Sequence, residues 1–218
     1  MSTDAVRTDP ESTPQMSALD AVLRDTLTST YVDDAFYALL RADVAEWDAE
    51  GMPLTEEERA THEALLLHES WLLDRRRFED WYGLYARECL YWVPAADPVA
   101  DPAAADPRNR VAIACDDRRR LGDRIVWLRT GVAYSQLPPS HTAHSSSGFV
   151  RMPTARPGEV KIRSNTVVHE VRSGHVLQTM AGWTGHVLLE EDGRWRIARK
   201  TVVLLDAERA HHNLTFLL

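Results

Sequence analysis

The chain has 218 residues, of which 44% are hydrophobic and 27% are charged, values typical of a single soluble globular domain with a substantial core. Its formal net charge of −8 argues against a nucleic-acid partner, because nucleic-acid binders usually carry a basic surface. No apolar run approaches the ~20 residues that span a bilayer, so we also expect no membrane segment.

Residues 1–17 are rich in Ser, Thr, Asp and Pro and offer almost nothing to bury, which predicts a disordered or extended arm. They have neither the basic nor the apolar region of a signal peptide, so we expect a cytoplasmic protein. From Ala18 to about Trp47 the apolar residues recur at helical spacing. This periodicity predicts an N-terminal helical extension over residues 18–55.

A single α+β domain is predicted over residues 56–218. Its first helix begins at a capping box formed by Thr55 and Glu58 and runs to about residue 73. Four aromatic residues of a second helix, which begins near Asp74, share one helical face: Phe78, Trp81, Tyr82 and Tyr85. Such a stripe favours a role in the core over a role in lining a pocket.

Residues 89–93 are strand formers, and the following residues 94–108 contain three Asp-Pro steps among alanines. That composition predicts an extended and exposed loop. Further along, Asp116 is predicted to cap the start of a helix that Gly131 ends.

The rest of the chain is predicted to be almost entirely β, with strands near 144–153, 159–172, 175–190 and 194–206. Strands of this length must twist and coil. We therefore predict an α+β fold, in which the helices pack in the concave face of a strongly curved, mixed or antiparallel sheet. Such a cone tends to enclose a cavity.

Six segments occur in a characteristic order: LLDRRRFEDWYGLYARECLYWVP (72–94), CDDRRRLGDRIVWLRTG (115–131), LPPSHTAH (137–144), SNTVVHEVRSG (164–174), GRWRIARKTVVLLD (193–206) and the closing NLTFLL. In this order, residues 57–218 resemble the small (beta) subunits of aromatic-ring-hydroxylating dioxygenases. The resemblance implies a cystatin-like cone, a fold shared with nuclear transport factor and scytalone dehydratase.

The resemblance also implies a non-catalytic, structural role in aromatic compound degradation. Three copies would form a trimer that holds three catalytic large (alpha) subunits in a hetero-hexamer. The Rieske [2Fe-2S] cluster and the mononuclear Fe(II) would lie in the large subunit, and electrons would come from NAD(P)H through separate components. The helix at 18–47 and the DPVADPAAADP loop depart from the family pattern, so the resemblance does not extend to their contacts.

The residues themselves argue against a redox centre in this chain. A Rieske cluster needs two Cys and two His in CxH and CxxH pairs, and neither Cys89 nor Cys115 belongs to such a pair. A non-haem iron site needs two His and a carboxylate that face one point. His141 and His144 have an odd spacing on a predicted strand, which points their rings to opposite faces. We therefore expect no cofactor and no metal ion in this chain.

Two other functions remain open. The first is a stand-alone dehydratase, cyclase or isomerase of the same cone fold, which would use a histidine–carboxylate pair, with His68, Tyr85 and His144 as candidate catalytic residues. Other residues that could converge in its cavity are Glu69, Asp80, Tyr82, Tyr91 and His169. The second is a non-enzymatic binding adaptor, because the chain has seven Trp residues and Trp is enriched at interfaces.

For the subunit role, the candidate interface residues are charged residues of the helix after residue 115 and apolar residues of NLTFLL. They are Asp116, Asp117, Arg118, Arg124, Arg129, Leu214 and Phe216. The charged residues lie at helical spacings that allow pairing within and across subunits. The NLTFLL segment is too apolar to be free in water, so we expect it to dock on its own subunit or on a neighbour.

Overall fold

The centre of the fold is a seven-stranded sheet, seen in a computed structural model that describes residues 29–132, 134, 137–172, 175–209, 211 and 216–218. In chain order the strands are β1 (Met52–Pro53), β2 (Tyr85–Pro94), β3 (Ala112–Asp117), β4 (His141–Met152), β5 (Glu159–Arg172), β6 (His175–Glu191) and β7 (Arg194–Leu204). They lie in the order β1-β4-β5-β6-β7-β2-β3. Strands β2 and β7 are parallel and the other neighbours are antiparallel, so the predicted long strands are confirmed within a mixed sheet.

The helices are α1 (Asp34–Trp47), α2 (Glu56–Glu58), α3 (Ala64–Asp74), α4 (Phe78–Tyr82) and α5 (Arg118–Thr130). A π-helical turn, Arg59–Glu63, joins α2 to α3. The predicted capping box at Thr55 and Glu58 is confirmed. Over the described part of the chain, every helix is too short or too polar to cross a membrane.

Helix α5 begins one residue later than predicted. Asp117, not Asp116, caps it by accepting a hydrogen bond from the backbone N–H of Arg120 at 2.8 Å. Gly131 ends the helix as predicted, with φ at +68°, a backbone conformation that glycine adopts without strain.

One face of the sheet, which we call the inner face, carries the main core. Side chains of β5, β6 and β7 pack there with α3, α4 and α5, and representative members are Leu72, Trp81, Leu121, Ile125, Ile162, Leu188 and Val202. All of these are nearly inaccessible to solvent. The predicted α+β fold, with helices packed against one face of a long-stranded sheet, is confirmed.

The predicted aromatic stripe belongs to this core, but it is not one helix. Helix α4 ends at Tyr82, and Tyr85 is already the first residue of β2. The chain leaves the helix because the carbonyl of Leu84 accepts a hydrogen bond from the backbone N–H of Ile197 in β7, at 2.9 Å. Pairing with the sheet therefore overrides the helical spacing of the four aromatics.

The opposite, outer face of the sheet is covered by α1. Leu40 and Val44 of α1 pack against Leu90 and Trp92, which alternate along β2 with the residues that point to the inner face. The helices after residue 55 thus pack on the inner face of the sheet, and α1 adds a layer on the other face. Helix α1 lies on the outer face because its apolar side must be buried, and the outer side chains of β2 offer an apolar surface for it.

The predicted helix from Ala18 to Trp47 is interrupted. Asp33 has extended backbone angles and caps α1 by accepting a hydrogen bond from the N–H of Phe36, so a new helix starts there. A separate 3-10 turn, Ser29–Tyr31, precedes it. The rest of that prediction, residues 18–28, and the arm predicted over residues 1–17 lie outside the described residues.

The alanine-rich stretch after β2 is also different from the prediction of an exposed loop. Its 3-10 turn, Pro102–Ala105, buries Ala104 and Ala105 beside α1. Asp106 ties the two segments together, since it pairs with Arg41 of α1 at 2.6 Å. Small side chains allow this close approach, and an aspartate supplies the cross-link.

A buried ionic cluster fixes α1 to the outer face. Asp43 of α1 pairs with Lys161 of β5 and with Arg199 of β7, each at 2.5 Å, and also with Arg156. The Lys161 side chain is 0% exposed, so its charge has no access to water. Glu46 and Glu159 complete the cluster, since Glu46 pairs with Lys161 and Glu159 pairs with Arg199 at 2.7 Å, so removal of Asp43 leaves two buried cations with one carboxylate each.

We predict that Asp43→Ala lowers the free energy of unfolding by about 2–3 kcal/mol, because Lys161 and Arg199 lose the buried carboxylate that they share and keep only Glu46 and Glu159 as partners. Urea denaturation at neutral pH measures the change. The matched control is Asp48→Ala, which removes an exposed carboxylate just after the same helix and should change stability by less than about 0.5 kcal/mol. Equal effects of the two variants would contradict the role given to the cluster.

Candidate functional site

Two histidine–carboxylate pairs lie on the inner side of the sheet. One joins Glu69 to His186, and the other joins Asp74 to His144. Both carboxylates come from α3, which packs across the sheet with β4 as its main partner. These pairs are the groups in the cone that acid–base chemistry would require.

Glu69 accepts hydrogen bonds at both carboxylate oxygens. Its Oε1 accepts from Trp81 Nε1 at 3.1 Å, from the Tyr85 hydroxyl at 3.1 Å and from Lys200 Nζ at 2.9 Å. Its Oε2 accepts from His186 Nε2 at 3.0 Å. All five side chains are buried.

The charges in this network are set by burial and by the lysine. Burial alone would raise the pKa of Glu69, but the Lys200 ammonium and the hydrogen bond from His186 lower it far below its ordinary value. Burial lowers the pKa of His186, so this ring is neutral at pH 7. Burial, reinforced by the charge of Glu69, raises the pKa of Tyr85. The network is therefore one buried ion pair with neutral donors around it.

This arrangement makes Glu69 a poor general base. A general base needs a pKa near the working pH and a free lone pair directed at a substrate proton. Glu69 has a strongly lowered pKa, and four donors occupy its oxygens. The geometry suits a structural anchor.

The second pair closes the other end of the inner face. Asp74 accepts from His144 Nδ1 at 2.6 Å, from the His144 backbone N–H at 3.0 Å and from the Thr142 hydroxyl at 2.9 Å. Burial would raise the pKa of Asp74, but these hydrogen bonds lower it. On the other side of the ring, His144 Nε2 lies 2.9 Å from the carbonyl oxygen of Leu217. Both ring nitrogens therefore face oxygen atoms, one on the Asp74 side chain and one on the Leu217 backbone, so the ring links α3 to the segment at 216–218.

A cavity of about 30 Å³ adjoins His144. It is lined by Leu73, Arg76, Phe78, Leu128, Gly131, Leu137, Pro139, Ser140, Thr142, His144, Phe216 and Leu217. That volume holds one or two water molecules and is far below the ~300 Å³ of a small-molecule site. Glu69, His186 and Lys200 do not line it.

The three candidate catalytic residues lie in three separate environments. His68 is on the exposed side of α3, stacked on Trp71 with ring centroids 5.7 Å apart. Tyr85 belongs to the Glu69 network and His144 to the Asp74 pair.

The other cavity candidates are also placed apart from one another. Asp80 is paired with Arg77 in solvent, and Tyr82 lies under the guanidinium of Arg118. Tyr91 is buried in the core, and His169 is exposed beside Thr179.

Sequence reasoning missed Asp74, His186 and Lys200. A signal for Lys200 existed, because it shares a strand face with the buried Val202 and Leu204. Asp74 precedes three arginines, which suggested a surface ion pair. Its real partner comes from β4, 70 residues along the chain, where no local pattern could reveal it.

The charged residues predicted for an interface, at the end of β3 and on α5, make contacts within the chain. Asp116 pairs with Arg124, and Arg129 forms two hydrogen bonds with Glu79, each 2.7 Å long. Arg118 donates to the carbonyls of Tyr85 and Ala86 at 3.1 and 3.2 Å, and Asp117 is the helix cap. A role at a subunit interface stays a prediction for all of them.

The NLTFLL segment is described only at residues 216–218. Phe216 is half-buried against the main core, and Leu217 and Leu218 are buried within it. Leu214 lies outside the described residues. Among all the residues that the structure describes, no group of three His, Cys, Asp or Glu side chains is arranged to hold a metal ion.

We predict that Glu69→Gln lowers the free energy of unfolding by about 3–5 kcal/mol at pH 7, because it leaves the Lys200 ammonium buried without a counter-ion. The difference from the wild type should be constant above the ordinary glutamate pKa of 4.5 and should shrink below it. The lowered pKa gives a stabilisation that is complete above 4.5 and is lost as Glu69 becomes protonated. Urea denaturation over this pH range measures it.

The control is Glu88→Gln, which changes an exposed glutamate of β2. It should alter stability by less than about 0.5 kcal/mol at every pH. A Glu69→Gln protein that is as stable as this control would refute the anchoring role.

Comparisons of the sequence with known proteins show which family the chain belongs to. Residues 68–209 match the family described as ring hydroxylating beta subunit. The small oxygenase component of the p-cumate 2,3-dioxygenase system of Pseudomonas putida is 32% identical over 161 residues, which is 73% of this chain and 87% of that protein.

Solved structures share the fold. The beta subunit of benzoate 1,2-dioxygenase from Burkholderia mallei superposes with a TM-score of 0.58 at 19% identity, covering 78% of this chain and 100% of that one. A chain of naphthalene 1,2-dioxygenase, in a structure with indole bound in the active site, gives a TM-score of 0.65 at 17% identity, covering 86% and 100%. The resemblance seen in the sequence is confirmed, and the chain belongs to the ring-hydroxylating beta-subunit family of the aromatic-ring-hydroxylating dioxygenases.

Proposed function

We propose that this chain is a structural subunit that forms a trimer and holds three catalytic large subunits of an aromatic-ring-hydroxylating dioxygenase. The observation that carries the proposal is the match of residues 68–209 to the beta-subunit family. The interior of the fold supports it, because the carboxylates of both buried pairs are fully engaged in holding helices to strands. The complex would oxidise an aromatic ring during aromatic compound degradation.

The redox centres of the complex are proposed to lie in the large subunit. Cys89 and Cys115 are the only cysteines of the chain, and neither belongs to the CxH or CxxH pairs that bind a Rieske cluster. The cluster and the mononuclear iron would therefore be supplied by the large subunit, with electrons from NAD(P)H through separate proteins. The stand-alone dehydratase loses support, since His68, Tyr85 and His144 have separate environments.

The surface at the end of α5 is our candidate for subunit contact. Four large apolar side chains are exposed on or just after this helix: Trp127, Val132, Tyr134 and Leu137. These residues are close in sequence, and Trp and Tyr are frequent among the residues that dominate binding energy at interfaces. Arg124 and Arg129 are on the same helix and are partly exposed, so they can border this surface while they keep their partners within the chain.

We expect an affinity-tagged chain to co-purify from its native cell extract with a larger, iron-containing protein. The purified chain alone should contain no stoichiometric iron and should not transform an aromatic compound. Addition of the large subunit, the electron-transfer proteins and NAD(P)H should restore ring oxidation. Iron analysis and product chromatography measure both results, and turnover by the isolated chain would overturn the structural role.

We predict that Trp127→Glu weakens assembly with the large subunit or with other copies, because a charge in an apolar contact must be desolvated. The side chain is 59% exposed, so the melting temperature of the isolated chain should stay within about 2 °C of the wild type. Analytical ultracentrifugation over a concentration series measures assembly. The control is Val111→Glu, an equally drastic change at an exposed residue beside β3, and identical assembly of both variants would exclude this surface.

A further inference from the structure

The outer face of the sheet is covered at one end only. Helix α1 ends at Trp47, whose ring covers Gly185 of β6 and lies 6.3 Å, between centroids, from the ring of Trp183. Strands β4, β5 and β6 continue past this point for several residues. Exposed side chains at these strand ends show that α1 does not reach them.

Six side chains point outward from this uncovered part. Lys161 of β5 points to α1, and side chains alternate along a strand, so Val167 and His169 lie on the same face as Lys161. Residues directly opposite them on the neighbouring strands share that face. Together they form what we call the open patch: Ala143, Ser145, Val167, His169, Thr179 and Ala181. Each is exposed or half-buried.

The composition of the open patch indicates a contact surface. It contains no Asp, Glu, Lys or Arg, although 27% of the chain is charged. Charged residues are depleted at the centres of protein–protein interfaces. Its alanine, serine and threonine side chains are also small, so a large side chain of a partner can pack closely against the strands.

A hollow of about 300 Å³ borders the open patch. Trp183 and Leu205 are among its apolar walls. Leu205 lies next to Ala181 of the patch, because its backbone N–H donates to the Ala181 carbonyl at 2.9 Å. The Leu205 side chain is 83% exposed, so the apolar surface continues from the patch into the hollow.

The charged residues of the hollow are mainly acidic. Three carboxylates and one guanidinium line it: Asp97, Asp206, Glu208 and Arg209. Within the described part of the chain, none of these carboxylates forms an ion pair, and Glu208 is exposed. A guanidinium or ammonium group that entered the hollow would supply the missing counter-ion. The hollow therefore suits a basic side chain of a partner.

Helix α5 carries a surface of the complementary kind. Its exposed stripe is formed by Arg120, Arg124 and Trp127, at positions i, i+4 and i+7, while Leu121 and Ile125 are buried on the other side. Trp127 is 59% exposed. The Arg120 guanidinium donates to the Cys115 carbonyl at 3.0 Å, and among the described residues it pairs with no carboxylate. The stripe thus combines an aromatic ring with an unpaired cation.

The spacing of the two surfaces also agrees. Arg120 and Trp127 are seven residues apart, which is about 10 Å along a helix. Val167, Ala181 and Leu205 lie on three adjacent chain segments of the sheet, at ~4.8 Å per step, so the hollow and the centre of the patch are also about 10 Å apart. Trp127 can therefore lie on the patch while Arg120 reaches the hollow.

We propose that the exposed stripe of α5 docks on the open patch of a second copy of this chain. Trp127 packs against the small side chains of the patch, and Arg120 enters the acidic hollow. The two surfaces are different parts of one chain, so the contact is heterologous and can close into a ring. The inference rests on the trimer of the proposed function, and it names the surfaces that join the copies.

The test is charge reversal in the full chain, with self-association measured by analytical ultracentrifugation. Arg120→Glu and Glu208→Arg should each weaken self-association by about tenfold, because each variant brings like charges together in every contact. The double variant again places opposite charges in every contact. Its self-association should return to within about threefold of the wild type.

The patch is tested separately by Ser145→Glu, which adds a charge to its centre and should weaken self-association by about tenfold. The matched control is Glu190→Arg, a charge reversal at an exposed residue of β6 about 23 Å along the strand from Trp183. It should leave self-association unchanged. All of these residues are exposed, so the melting temperature of every variant should stay near that of the wild type.

Single reversals that associate as tightly as the wild type would overturn the proposal. So would a double variant that stays as weak as the single ones, or a wild-type chain that is monomeric at every concentration. Co-purification with the large subunit is a separate measurement. If it persists while these results fail, the interface is excluded but the subunit role stands, and if the wild type loses it as well, the proposed function fails.

Discussion

The fold depends on one buried negative charge. Glu69 of α3 receives hydrogen bonds from Trp81 of α4, Tyr85 of β2, His186 of β6 and Lys200 of β7. A carboxylate in an apolar interior is tolerated only where its hydrogen bonds and its counter-ion are all present. Because the donors come from four different elements, they can meet at Glu69 in only one arrangement of helices on strands. The charge therefore specifies how the helical layer sits on the sheet.

Adjacent residues of β7 extend this constraint to both faces. Side chains alternate along a strand, so Lys200 points to the inner face and Arg199 to the outer face. Lys200 pairs with Glu69 of α3, and Arg199 pairs with Asp43 of α1. Two consecutive basic residues thus hold helices on opposite sides of the same strand. As a result, α1 is part of the packed structure and is attached by buried charge as well as by apolar contact.

Local sequence patterns predicted the elements but not these connections. The bounds of β5 and the capping box at Thr55 came directly from periodicity and turn chemistry, because both depend on neighbouring residues. Glu69 and Lys200 are 131 positions apart, and nothing near either residue indicates the other. The same limit explains Tyr85, which continues a helical spacing but pairs as a strand with β7. In each case a contact distant in sequence decided the outcome.

The way in which α5 is fixed bears on how a beta subunit can contribute to an enzyme complex. At the start of α5, Arg118 donates to the carbonyls of Tyr85 and Ala86, where the aromatic layer turns into β2. At its end, Arg129 forms two hydrogen bonds with Glu79. Both ends of the helix are therefore tied to the core, and the exposed Trp127 projects from a helix that is fixed at each end. A rigid surface loses little conformational entropy when a partner binds. Less of the favourable contact energy is then offset by the cost of ordering the surface. In the proposed structural role, the buried charges of the interior would hold the exposed Trp127 in a fixed position for a partner.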